Sequence, residues 1–326
     1  IDHQWRRTSY TGLTQEVHSE RELPLTLLDD EREPGPDDQS NQRPVAVPSD
    51  ALVSPLGPLP GGTQFGSLVH GVLEVVDAAS PTLDADLASE VARQAARLPV
   101  EGLDQQALAA GLADVLHTPL DGLADQISLS DVPRHNWLAE LDFELAMGQA
   151  GAASTLGDIA AALQDEGLVG DDAFARRYGA HLANSPASTK SLKGFLTGSI
   201  DVVLRLGERG SQRHIVCDYK TNRIPVAGGE HLTTLHYTPS AMSTAMVEAH
   251  YPLQALLYCV ALHRFLRWRL PGYRPEEHLG GVGYLFVRGM AGPQTPVVDS
   301  MRCGVFVWKP TAALVVHVSN LLGGAR

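Results

Sequence analysis

From Thr63 onward, apolar residues recur every three or four positions, and Phe65, Leu68, Val69, Val72, Leu73 and Val76 fall on one side of a helix. His70 sits on the flank of that face, with Glu74 one turn further along. Residues 83–130 read as mainly helical, with short Leu/Ala repeats punctuated by Gly and Pro. At Trp137 the period changes to two: Leu141, Phe143 and Leu145 point inward, and Glu140, Asp142 and Glu144 outward, as in a half-buried strand. An Ala/Gly-rich stretch, 151–193, predicts a helix with loops. Period two then returns in Gly198–Leu206 and, after a polar turn, in His214–Thr221, which predicts a β-hairpin. On its first strand Ile200, Val202, Leu204 and Leu206 share one face and Asp201 takes the other. On its second strand Asp218 and Lys220 share a face.

Residues 224–239 follow as a long loop and 240–250 as a short helix. Pro252, harmless in a first helical turn, opens a longer helix running to about Leu270. Two further strands, 283–288 and 304–308, and a last helix over roughly 310–322 complete the chain. The order predicts an α/β fold, a mixed sheet flanked by helices, with a helical insertion at about 80–135.

The 326 residues can bury a sizeable core, in one large domain or two. Residues 1–50 stand apart from 51–326: after a short lead-in, 29–50 are acidic, Pro-rich and poor in large apolar side chains, which predicts a linker. The first residue is not Met, so a fragment or processed piece is expected; the start lacks a signal-peptide shape, and no apolar run approaches a membrane span. Cys217, Cys259 and Cys303 are widely spaced, which argues for a reducing compartment and against a zinc or iron–sulfur site built from cysteines.

The net charge of -13 argues against a polyanionic partner until it is divided by position. Residues 1–175 hold 8 Lys and Arg against 30 Asp and Glu, whereas 176–326 hold 17 against 8. The half that contains the hairpin is basic and can face a polyanion, although uneven loop composition would give the same split.

Asp201 and Asp218, on paired strands, suit a hard divalent cation that takes one or two carboxylates together with water and phosphate oxygens. Lys220 supplies positive charge where a phosphodiester under attack would develop negative charge. Asp-x-Lys also occurs at solvated strand ends, so spacing alone leaves both readings open. His70 can equally be a surface histidine, Glu140 part of a charged edge that blocks aggregation, and Gln254 with Tyr258 a helix face of no special role. Arg264, Arg267 and Arg269 can be an ordinary basic helix end.

Five stretches in order change that balance: Gly62–His70, Leu196-Thr197-Gly198-Ser199-Ile200-Asp201, Cys217-Asp218-Tyr219-Lys220-Thr221-Asn222, Tyr251–Tyr258 and Gly280–Gly289. Together they resemble the RecB family of nuclease domains, of PD-(D/E)XK restriction-endonuclease-like fold, and Trp5–Tyr10 resembles the start of such a domain. The likeness is patchy over 29–60, 80–135 and 150–190. The resemblance implies a Mg²⁺-dependent deoxyribonuclease of the exodeoxyribonuclease V type, with Mn²⁺ or Ca²⁺ as alternative occupants. It implies His70, Asp201, Asp218 and the Tyr219 backbone carbonyl as metal ligands and Lys220 as the catalytic lysine. Gln254 and Tyr258 match a Gln-x-x-x-Tyr signature near DNA or the metal shell, and Glu140 matches the acid of the first core strand, with Asp142 on the same face.

Implied partners are DNA, as single strands and duplex ends, RecC-like and RecD-like subunits, and a helicase motor, in the bacterial cytoplasm and without a membrane. No Gly-x-x-x-x-Gly-Lys-Ser/Thr phosphate loop occurs in the chain, so the motor is expected elsewhere. Two alternatives remain at this point. One is a silent domain of the same fold that binds DNA or docks subunits; the other is a nuclease stapled by an iron–sulfur cluster, which three scattered cysteines do not favour.

Overall fold

A computed structural model describes residues 7–9, 13, 47–48, 50–148, 154–208, 210–226 and 231–323. Most of the predicted lead-in and acidic linker, 1–50, lies outside the described residues. The strands are β1 Arg7–Ser9, β2 Trp137–Met147, β3 Gly194–Leu206, β4 Arg213–Lys220, β5 Leu279–Phe286 and β6 Val305–Trp308. The main helices are α1 Thr63–Val75, α2 Leu83–Arg97, α3 Gln105–Leu116, α4 Leu156–Ala162, α5 Ala173–Ala183, α6 Pro239–Glu248, α7 Tyr251–Arg269 and α8 Ala312–Leu321. Among the described residues no helix is long and apolar enough to cross a membrane.

β3 is the pivot of the sheet. β2 runs antiparallel beside it, while β1 pairs parallel with Phe195–Thr197 and β4 pairs antiparallel with Val202–Leu206. β5 lies parallel to β4, and β6 is antiparallel to β5, so the sheet is mixed as expected. One face carries Val202, Leu204, Ile215, Cys217, Tyr219 and Leu285 against the apolar sides of α1, α2 and α3. The opposite face carries Val203, Val216, Val282, Tyr284 and Phe306 against α4–α8. Helix α7 is buried almost all round, which accounts for its apolar sequence. Gly62, at φ 93°, turns the chain into α1 in a conformation that a side chain would strain.

Two predictions shift. The strand expected at 283–288 begins earlier, at Leu279, and ends at Phe286 in a turn of 3₁₀ helix, Val287–Gly289. More important, Ile200 does not share a face with Val202 and Leu204: it packs with the α7 layer, and they pack with α1–α3. Strand β2 changes face at the same level, Trp137 toward α1–α3 and Leu141 and Phe143 toward α7. The strands keep their register through the change, with Ala139 opposite Val202 and Leu141 opposite Ile200. Between those pairs stand Glu140 and Asp201, and Glu140 has φ 47°, a left-handed backbone that costs about 1–2 kcal/mol for an ordinary residue. Period-two reading assumes regular backbone and cannot anticipate a residue that breaks it.

Candidate active site

The face change sits where the β3–β4 ladder stops. Its last pair is Val202 with Cys217; the next positions across the gap are Asp201 and Asp218. There the Asp201 carboxylate takes over as acceptor, and Tyr219 N–H donates to its Oδ2 at 2.8 Å. The same oxygen lies 3.4 Å from His70 Nδ1, which α1 delivers from the face opposite α7. The His70 ring stands edge-on to Tyr219, centroids 6.1 Å apart.

Asp218 and Lys220 point together toward α7, with Lys220 Nζ 2.7 Å from Asp218 Oδ2. Asp201 and Asp218 are only 2% and 1% exposed, a costly position for carboxylates unless positive charge is close by. Burial, reinforced by Asp201 and Asp218, raises the Cys217 thiol well above its ordinary range, so it stays a neutral core side chain. Burial likewise raises the Tyr219 phenol, which remains protonated.

Glu140 completes a row of acids across three neighbouring strands: Glu140, then Asp201, then Asp218. It is exposed, and its Oε2 accepts a hydrogen bond from Ser199 Oγ at 2.9 Å. Asp142 pairs with Ser199, one strand pleat away from the row. Of the three acids exposed on β2, Glu140, Asp142 and Glu144, only Glu140 stands at the level of Asp201.

The chain has counterparts among known proteins. Residues 58–302 match the PD-(D/E)XK nuclease superfamily. The chain belongs to that superfamily. It is 42% identical, over 99% of its length, to the RecBCD enzyme subunit RecB of Mycolicibacterium smegmatis, and 29% identical, over 98% of its length, to that of Escherichia coli. It spans only 29% and 23% of those two proteins. The RecB subunit of Mycobacterium tuberculosis is 42% identical over the whole chain and is covered to 29% of its own length.

PD-(D/E)XK nucleases generally use divalent metal ions. The donor types here, two carboxylates and an imidazole beside a backbone carbonyl, fit a hard cation with room for phosphate oxygens. Among the described residues, however, no group of three or more His, Cys, Asp and Glu side chains is already closed into a metal cluster. Lys220 Nζ lies against Oδ2 of Asp218 and Tyr219 N–H holds Oδ2 of Asp201, so a cation taking Asp218 Oδ2 would compete with the lysine for it.

Gln254 and Tyr258 lie one helical turn apart on α7, and neither faces solvent. Gln254 Nε2 donates to Tyr258 Oη at 3.0 Å, and its Oε1 accepts from Tyr284 Oη at 2.8 Å. They brace the floor beneath Lys220. Arg264 is also structural, bonding Ser319 at the far end of α7. Trp268 and Arg269 stack at the exposed end of that helix, Arg269 Cζ lying 4.0 Å from the Trp268 ring.

Sequence reasoning gave no role to Arg288, which is fully buried. Its guanidinium donates to the Thr221 carbonyl at 2.8 Å and to the carbonyls of Leu56, Leu59 and Pro60, and lies over the Phe65 ring. It ties the residue after Lys220 to the segment leading into α1, and so fixes His70 relative to β4. A charged residue ending the apolar run Gly280–Val287 was the available signal. Tyr251 and Tyr284, inside stretches that carried the resemblance, also gained no role from sequence.

Proposed function

We propose that this chain is a Mg²⁺-dependent deoxyribonuclease that hydrolyses phosphodiester bonds, chiefly in single strands, as the nuclease module of a RecBCD-type helicase–nuclease in break repair and recombination. The observation that carries the reading is the convergence of Asp201, Asp218, Lys220 and His70 at one splayed strand end in a chain of this superfamily. His70, Asp201, Asp218 and the Tyr219 carbonyl would hold the ion. When bound, the metal supplies Lewis acidity toward a phosphate oxygen and lowers the pKa of the attacking water. Lys220 would place its ammonium against the negative charge that builds on the phosphate. Glu140, at the exposed end of the acidic row, would orient water or an outer hydration shell. The basic C-terminal half would attract the DNA backbone. RecC-like and RecD-like subunits and a separate motor would deliver the strand, consistent with relatives named as RecB subunits of the RecBCD enzyme.

The test is incubation of linear and circular single-stranded DNA with the chain and Mg²⁺, beside Asp218→Ala. Cleavage should vanish with EDTA and fall by about a hundred- to a thousandfold in the variant. Cleavage unchanged by either treatment overturns the proposal.

A further inference from the structure

Lys220 is the last residue of β4, and its ammonium hangs on a flexible four-carbon stem. The carboxylate it meets at 2.7 Å, Asp218, is also a proposed metal ligand. A cation competing for that carboxylate would weaken its hold on the ammonium.

Two tyrosine rings flank the same ammonium. Lys220 Nζ lies 4.5 Å from the centroid of the Tyr251 ring and 5.4 Å from that of Tyr284. The two rings stack on each other, centroids 5.6 Å apart and 24° from parallel. Tyr284 Oη donates to Gln254 Oε1 at 2.8 Å, with the Tyr251 carbonyl 3.2 Å away. Gln254 is in turn tied to Tyr258, whose ring meets Phe143 of β2 edge-on. On the other side the Tyr251 hydroxyl bonds the Asn222 side-chain amide, two residues past Lys220.

We infer that Tyr251 and Tyr284 form an aromatic cradle that positions the Lys220 ammonium when Asp218 engages the metal, with Gln254 and Tyr258 as its brace. The physical reason is a division of labour. A neutral aromatic face attracts an ammonium through its quadrupole, more strongly when water is excluded. Unlike a carboxylate, it offers nothing to a hard divalent cation. The cradle therefore holds the lysine without competing for the metal, and it gives the Gln254–Tyr258 pair a positioning function beneath the site. It rests on the nuclease reading above, and the tyrosines act through Lys220 without touching the substrate.

The experiment compares the full chain with Tyr251→Leu and Tyr251→Phe on linear single-stranded DNA, measuring kcat, the Mg²⁺ half-saturation point and DNA Kd separately. Tyr251→Leu should lose about ten- to thirtyfold in kcat, with Mg²⁺ half-saturation and DNA Kd moving by less than about twofold. Tyr251→Phe keeps the ring and should restore most of the rate. A Tyr251→Leu chain as fast as wild type, an equal loss in Tyr251→Phe, or a loss appearing only in Mg²⁺ half-saturation overturns the cradle. NMR of the unmodified chain gives an answer even where Tyr251→Leu folds poorly. The Lys220 ε-methylene protons, assigned by comparison with Lys220→Arg, should be shifted upfield by the ring currents, and an ordinary lysine position overturns the proposal. A wild-type chain that leaves DNA intact with Mg²⁺ defeats the nuclease reading and the cradle's catalytic role with it. A cleaving wild type with an undiminished Tyr251→Leu defeats the cradle alone.

Discussion

The two halves of the β3–β4 hairpin do different things. In the turn half, Val202 to Leu206 pair residue for residue with Arg213 to Cys217, and Val202, Val203, Leu204, Ile215, Val216 and Cys217 fill the core on both faces. In the other half pairing stops, a side-chain carboxylate accepts the Tyr219 N–H, and the neighbouring strand carries a left-handed glutamate. The turn half stabilises the sheet through apolar burial. The splayed half gives up ladder hydrogen bonds so that Asp201, Asp218 and Lys220 can gather. Strain and buried charge are tolerated there because the regular half, the two helical layers and the Arg288 clamp hold the surroundings in place.

That division can be broken deliberately. The largest effect should come from Ile215→Ala, which hollows the regular half where Ile215 packs with Leu204 in the α1–α3 layer. It should cost about 2–5 kcal/mol in urea denaturation. Cleavage per folded molecule should stay within about twofold of wild type; a rate that collapses along with stability would mean the two halves are one unit.

A smaller effect separates Glu140 from Asp142, two of the three exposed acids of β2. Glu140→Ala should lower kcat by about tenfold, less than the roughly hundredfold of a direct acid or base because it would act through water, whereas Asp142→Ala should change it by less than about twofold. Equal effects would remove Glu140 from the acidic row.

The smallest effect concerns His214, paired with Arg205 at the turn end. Burial holds its pKa below the ordinary 6.5, against a hydrogen bond with the His278 backbone that raises it, and the nearby Arg205 charge lowers it further. The folded state therefore favours neutral His214, and the unfolded chain binds the proton first as pH falls. The stability this confers is present above pH 6.5 and is lost as pH drops below it. Thermal midpoints measured between pH 7.5 and 5.5 should fall less in His214→Asn than in wild type, and parallel curves would refute the assignment.

Much of this was legible in the chain because hydrophobic period reports local geometry directly. The helix from Thr63, the alternation from Trp137, the hairpin and the Pro-led helix from Tyr251 all stand where their patterns place them, within a few residues. Asp201, Asp218 and Lys220 could be paired because they share one hairpin, so their separation is set by strand register. His70 could be linked to them only through resemblance, since 131 positions separate it from Asp201 and no local rule spans that distance.

Three things were settled only by the tertiary structure. The face change at Glu140 and Asp201 depends on layers of helices packing from both sides, and no period can express it. Arg288 looks from sequence like a charge at a strand end; burial among backbone carbonyls from two distant segments makes it a clamp. The Gln254–Tyr258 pair reads from sequence as a helix face of no special role or, by resemblance, a signature near DNA or the metal shell; in the fold α7 is buried and the pair braces Tyr284. The sequence by itself determined which elements form and which acids and lysine share the hairpin, because those follow from backbone period and side-chain type. Only the fold decided what surrounds them, because burial and partnership come from segments far apart in the chain.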